Sequence, residues 1–169
     1  MPQDQIKTEL LNYLSGDNVP QRTRQRISRN NVIFSVNEMC TNPGFDGTYA
    51  TLNNNLLIND IISDIIAHPN QLFWNENMLA ARKDMTIALY MQYESQIDFD
   101  INMLQENRAI SIDDVFLNLT PEQFVWSILI KKPNFTRNMM LDNLGNMDWE
   151  SIINNNPNLL DPEYSIDPL

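Results

Sequence analysis

The chain has 169 residues, of which 43% are hydrophobic, and its formal net charge at pH 7 is −11 with a pI of about 4.3. This apolar content is enough to bury a core, so global disorder is excluded. One Cys and one His exclude an intrachain disulfide framework and a His-rich metal site, and the four Gly form no glycine-rich phosphate loop.

Helical periodicity and helix-start signals run through the first hundred residues. The predicted elements are, in chain order, a helix over 5–14, an Arg-rich helix opened by Pro20, a helix begun by the capping box of Ser35 and Glu38, a loop over 45–55, a helix capped by Asn59 and ended at His68, and the longest helix, over 76–93. We expect the helix after Asn59 to bury Ile61, Ile62, Ile65 and Ile66.

The second part of the chain shows the same short helical pattern. The predicted elements are a helix over 100–107, a helix capped by Ser111, a helix begun by the capping box of Thr120 and Gln123, a helix over 137–144 capped by Thr136, a helix over 149–153 capped by Asp148, and an extended tail from Asn154. Strand-like alternation with turn pairs is not evident, so the sequence predicts an all-α fold.

Four segments share a frame in which a large apolar residue precedes a proline by seven or eight positions. The prolines are Pro43, Pro69, Pro133 and Pro157, and Asn follows three of them. Proline stops each helix, and Asn tolerates the turn that follows. The spacing indicates units of about 25 residues that stack into a small α-solenoid-like array. The alternative is that an all-α protein merely ends several helices with Asn-Pro.

This frame predicts one helical domain over residues 1–160, with a basic segment over 1–30 and an acidic array over 31–160. Residues 161–169 are expected to form a flexible acidic tail. Trp126 and Trp149 are expected to be the buried anchors of their units.

The segments around Trp126, Pro133-Asn134, Trp149 and Pro157-Asn158 resemble the Trp…Asn-Pro-Asn repeats of proteins from giant double-stranded DNA viruses. The resemblance is best over residues 120–160, and the segments around Pro43 and Pro69 depart from it because they lack Trp. It implies a viral protein, associated with the virion or capsid. It transfers no catalytic residues to this chain.

The charge is unevenly distributed. Residues 1–30 hold five basic and three acidic side chains, whereas residues 31–169 hold six basic and nineteen acidic ones. The basic excess comes from Arg22, Arg24, Arg26 and Arg29, of which positions 22, 26 and 29 share one helical face. These arginines are candidate partner-binding residues, and the alternative is a solvated face that pairs with the acidic body. The acidic body disfavours direct binding to nucleic acid.

The last eleven residues alternate acids with apolar groups. Tyr164, Ile166 and Leu169 are therefore candidate partner-binding residues that would dock into a groove of another protein. The alternative is a disordered tail.

A catalytic site is not predicted. Cys40 and His68 form the one possible thiol–imidazole pair, and a buried Cys beside a loop His is the favoured interpretation. No cofactor or metal is expected. The segment Met1–Leu14 lacks the apolar core of a signal peptide, which predicts an intracellular or virion protein without a membrane span.

These observations favour a non-enzymatic protein-interaction or structural protein, with other proteins as its partners and an oligomer as one possible state. The alternative is an inhibitor whose acidic body mimics nucleic acid and masks a basic surface of a host or defence protein.

Overall fold

The structure is a computed structural model of the chain, and it describes residues 3–161. Within this range the chain is helical and contains no strand, which confirms the all-α prediction. The α-helices described are α1 Gln3–Leu14, α2 Gln21–Asn30, α3 Val36–Cys40, α4 Gly47–Thr51, α5 Ile58–Ala67, α6 Ile87–Tyr93, α7 Ile101–Glu106, α8 Ile112–Asn118, α9 Trp126–Leu129, α10 Arg137–Leu141 and α11 Trp149–Asn155. Short 3₁₀ helices cover Glu76–Ala81, Pro121–Gln123, Leu144–Asn146 and Pro157–Leu160.

Side-chain caps begin many of these helices, as the sequence predicts. Ser35, Ser111, Thr136 and Asp148 each accept a hydrogen bond from the backbone N–H three residues later. The capping box of Ser35 is complete, because its own N–H donates to Glu38 Oε2 at 2.8 Å. The predicted cap at Asn59 is wrong: α5 begins at Ile58, so Asn59 lies inside the helix, and the N-cap is Leu57, which has no side-chain oxygen.

The predicted loop over 45–55 contains a helix, α4. Asp46 caps it by accepting from the Tyr49 N–H at 3.2 Å, and Ala50 and Thr51 are fully buried. The Gly and Asn residues of this stretch indicate a loop by composition. The cap and the burial of two small side chains outweigh that weak local preference.

The predicted long helix over 76–93 is two elements. A 3₁₀ turn ends at Ala81, Arg82 has extended backbone with ψ 144°, and Thr86 caps α6 by accepting from the Leu89 N–H. The interruption directs the Arg82 side chain into the protein. Its guanidinium then binds backbone carbonyl groups that lie 26 to 31 residues earlier in the chain.

Contacts divide the chain into two compact units, Met1–Asp100 and Ile101–Leu169. In the first unit, α2 packs on α4, α3 packs on α5, and α4 packs on the turn Glu76–Ala81. In the second unit, α7 packs on α9, and the turn Pro157–Leu160 packs on α10 and α11. The expectation of a single helical domain over 1–160 stays a prediction.

A turn of constant form recurs between these helices. Its first residue is Asn at positions 31, 42, 53 and 107, and the side-chain oxygen of each accepts from the N–H two residues later. The residue three positions after each Asn is buried, namely Phe34, Phe45, Leu56 and Ile110. The Lys132 carbonyl oxygen accepts from the Phe135 N–H at 3.3 Å, the same backbone bond that closes the turns at Asn42, Asn53 and Asn107. In the Lys132 turn, Asn134 takes φ 66° after Pro133, as a type II turn requires.

Buried side chains connect successive turns. Asn53 Nδ2 donates to the carbonyl oxygens of Ser28 and Asn31 at 2.9 and 3.0 Å. Arg82 donates to the carbonyl oxygens of Thr51, Asn53 and Leu56 at 2.7 to 2.9 Å, and it also forms a two-point ion pair with Asp84 at 2.8 Å. These contacts provide hydrogen-bond donors to carbonyl groups that accept no hydrogen bond within a helix, because the helices are so short.

The second unit repeats this arrangement. Lys132 Nζ donates to the carbonyl oxygens of Asn107 and Ile110 at 2.9 and 2.7 Å. Asn107 and Ile110 hold the same two turn positions that Asn53 and Leu56 hold opposite Arg82. We call Asn53, Arg82 and Lys132 the bridging donors.

The predicted extended tail from Asn154 is wrong for its first part. Asn154 and Asn155 complete α11, and the following turn Pro157–Leu160 buries Leu159 to 3% exposure. Pro157 starts this turn because its fixed φ suits a first helical position. Residues 162–169 of the predicted tail lie outside the described residues.

The two Trp predicted as buried anchors differ from each other. Trp126 is half-buried and contacts the rings of Phe116 and Phe124, with centroids 6.0 and 5.4 Å away. Trp149 is 45% exposed, so the prediction that it is a buried anchor is wrong. Ile152 takes that place on α11 and is fully buried.

Replacing Arg82 by Met tests the bridging donors. We expect Arg82→Met to lower the free energy of unfolding by about 3–5 kcal/mol, because buried carbonyl groups and Asp84 lose their partner. Urea unfolding measures this. The matched control is the neighbouring exposed Lys83, and Lys83→Met should change the stability by less than about 0.5 kcal/mol. Equal effects of the two variants would contradict the assignment.

A second pair of variants separates the two faces of α11. Trp149→Ala should cost about 1 kcal/mol because the side chain is half in solvent. Ile152→Ala on the same helix should cost about 2–5 kcal/mol because it opens a cavity in the core. The same urea measurement checks both, and a larger loss for Trp149 than for Ile152 would show that the described packing of α11 is incorrect.

Candidate functional site

A basic surface runs along α2. Arg22, Arg26 and Arg29, for which the sequence predicts one shared helical face, are exposed, and none of them lies in an ion pair with the residues described. Arg24 differs from them, because it is half-buried and donates to the Gly16 carbonyl oxygen at 2.9 Å. Three positive charges therefore face outward without a carboxylate of residues 3–161 to neutralise them.

A groove of about 410 Å³ lies beside this surface, between α1 and the segment from α2 to Ile33. Leu10, Ile27, Val32 and Ile33 give it an apolar lining, and Arg26 also lines it. Val32 is 74% exposed, so it presents apolar surface to solvent at the groove. We call this feature the α1–α2 groove.

Local hydrogen bonds fix the shape of the groove. Asn31 is buried, and its Oδ1 accepts from the N–H groups of Ile33 and Phe34 at 2.9 and 2.8 Å. This turn buries Phe34 and leaves Val32 facing solvent. The bridging donor Asn53 also donates to the Ser28 and Asn31 carbonyl oxygens, and these two bonds hold the C-terminal end of α2 in place.

An ion pair holds α1 against α3. Lys7 Nζ lies 2.9 Å from Glu38 Oε1 and 5.7 Å from the centre of the Phe34 ring. The backbone N–H of Ser35 and the Lys7 ammonium lower the pKa of Glu38, so this carboxylate stays charged under mildly acidic conditions. The ion pair therefore connects α1, which forms one wall of the groove, to α3.

The structure places Cys40 and His68 close to one carboxylate, that of Asp64. Asp64 Oδ1 lies 4.0 Å from Cys40 Sγ and 3.2 Å from His68 Nδ1, and Asp64 Oδ2 accepts from Trp74 Nε1 at 2.7 Å. Burial and the Asp64 charge raise the pKa of the half-buried Cys40 thiol. A nucleophilic thiolate needs the opposite, a base beside the sulfur and a lowered pKa. Asp64 therefore has a structural role, in which it contacts Cys40, His68 and Trp74. The sequence analysis did not identify this role.

Among residues 3–161, no group of three or more His, Cys, Asp or Glu side chains is arranged to hold a metal ion. In the same range no helix is long and apolar enough to cross a membrane. The predicted partner-binding residues Tyr164, Ile166 and Leu169 lie outside the described residues.

Comparisons with known proteins return no relative. The chain matches no protein-family model, no curated protein and no solved structure. The candidate site is therefore defined by its own geometry: an apolar groove with three exposed arginines beside it.

The pH dependence of Cys40 alkylation tests whether this thiol is activated. We expect the rate of its reaction with iodoacetamide to keep rising above about pH 8.5, where a free thiol begins to level off, because the pKa of Cys40 is raised. The same chain unfolded in urea is the control and should level off near the ordinary value. A plateau of the folded protein at neutral pH would reveal an activated thiolate and contradict the structural role.

Proposed function

We propose that this protein is a non-enzymatic protein-interaction module whose α1–α2 groove receives an acidic segment of a partner protein that also carries large apolar side chains. The observation that supports this most is the juxtaposition of exposed Val32 with three arginines that have no ion-pair partner in residues 3–161. Apolar contact would supply affinity, and the arginines would orient and select the segment.

The charge distribution supports a protein partner rather than a nucleic acid. Residues 31–169 contain nineteen acidic and six basic side chains, so a polyphosphate would be repelled by most of the chain. A short acidic peptide needs to meet only the local positive field of Arg22, Arg26 and Arg29. Arginine is also well suited to pair with carboxylates, because its planar guanidinium binds them at two points.

The proposal also includes a repeat architecture for this chain and a viral origin. Turns begin at Arg82, Asn107 and Lys132, which lie 25 residues apart, and this recurrence supports a helical repeat array in the manner of an α-solenoid. The resemblance to giant-virus repeats over residues 120–160 supports a minor component of a virion or capsid. Its place of action would then be the host cell interior or the virion, where an oligomer is compatible with the proposal.

Selection from a random peptide library tests this function without assuming a partner. We expect peptides selected on the immobilised full chain to be enriched in Asp and Glu alternating with large apolar residues. Their affinity should fall at least about tenfold for Val32→Asp and for Arg26→Gln, since each removes a contact of the α1–α2 groove.

Leu72 provides the matched control, because it is 96% exposed and lies outside the groove. Leu72→Asp adds the same charge and should leave the affinity unchanged. Selection of basic peptides, with affinities that Val32→Asp does not alter, would contradict the proposal. That result would instead favour the alternative function, in which the acidic body mimics nucleic acid.

A further inference from the structure

A second concave feature lies in the unit Ile101–Leu169. It is a cavity of about 320 Å³ between the turn that begins at Asn107 and the turn that contains Pro133 and Asn134. Ile110, Ile112 and Ile128 line it with apolar side chains. The volume lies at the lower end of the range of small-molecule sites.

The charges around this cavity are of one dominant sign. Arg108, Lys131 and Lys132 line it, and Glu106 is the one acidic residue in its lining. Arg108 and Lys131 are exposed and have no ion pair with residues 3–161, although Lys131 helps to lower the pKa of Asp148 after the hydrogen bonds from Ser151. A net positive cavity is unexpected in a chain whose charge is −11.

The Lys132 ammonium group has one N–H donor that is left for a ligand. This group has three N–H donors, and the backbone carbonyls of Asn107 and Ile110 take two of them. These two bonds fix the nitrogen between the two turns that border the cavity. Burial lowers the pKa of Lys132, and an anion beside it would offset that cost.

We propose that this cavity binds a small organic anion, a carboxylate or a phosphate joined to an apolar group. Lys132 would hold the anionic group from the fixed end, Arg108 and Lys131 would close over it from the rim, and the three isoleucines would contact the apolar part. Hydrogen bonds to charged donors are short and strong, so three of them define the position of one anionic group. The site is separate from the α1–α2 groove and does not depend on the function proposed for it.

Amide chemical shifts of the ¹⁵N-labelled full chain, titrated with phenyl phosphate and with benzoate, test the site. We expect saturable shifts at Ile110, Ser111 and Asn134 for at least one of these probes, and the tighter probe identifies the preferred anion. Benzyl alcohol, which has the ring without the charge, should give no saturable shift. Inorganic phosphate, which has the charge without the ring, should bind at least about tenfold more weakly than phenyl phosphate.

Substitutions then test which positively charged side chains bind the anion. The double variant Arg108→Gln with Lys131→Gln should weaken binding at least about tenfold, and both side chains are exposed, so the fold is retained. Lys83→Gln is the matched control, because Lys83 is an exposed cation that follows a bridging donor in the other unit, and it should leave the affinity unchanged. Absence of saturable shifts with both charged probes, an unchanged affinity of the double variant, or equal binding of benzyl alcohol would each overturn the proposal.

Discussion

The fold depends on buried side chains that supply hydrogen bonds to the backbone of a preceding turn. Several of the helices are so short that most of their carbonyl groups have no intrahelical partner, and a chain made of them cannot satisfy its own backbone locally. Asn53, Arg82 and Lys132 solve this problem by donating to carbonyl oxygens 22 to 31 residues earlier. Each such contact also fixes the distance between two turns, so that packing and polar satisfaction are achieved together.

The two concave surfaces follow from this arrangement. At the α1–α2 groove, Asn31 and Asn53 hold the end of α2, which leaves Val32 outward beside the arginines. In the second unit, Lys132 is both a bridging donor and part of the cavity lining. In an acidic protein, these are two places where positive charge meets apolar surface.

Local signals in the sequence predicted local structure well. Ser35, Ser111, Thr136 and Asp148 were foreseen as caps because a cap depends on a side chain and a backbone group only three residues apart. The helical spacing of Arg22, Arg26 and Arg29 predicted that they share one face of α2, but it did not predict that this face is exposed. The type of fold follows from these same short-range patterns, which recur along the chain.

Long-range contacts account for what the sequence did not predict. The sequence predicts one helix over 76–93, yet the chain leaves the helix at Arg82, whose guanidinium binds carbonyl groups far away in the sequence. Trp149 lies in the same sequence motif as Trp126. Its exposure, however, depends on which residues pack against it in the folded chain. The outward turn of Val32 depends on the bonds of Asn31, and the cavity beside Lys132 depends on two turns that only the folded chain brings together.

The side-chain NMR signals of the arginines test the central claim most directly. If Arg82 is a buried bridging donor, its guanidinium protons give separate resonances that exchange slowly with water at neutral pH, because rotation and solvent access are both blocked. In the same spectrum, the guanidinium protons of Arg22, Arg26 and Arg29 should be averaged and in fast exchange. Guanidinium protons of Arg82 that exchange as fast as those of the α2 arginines would contradict the account.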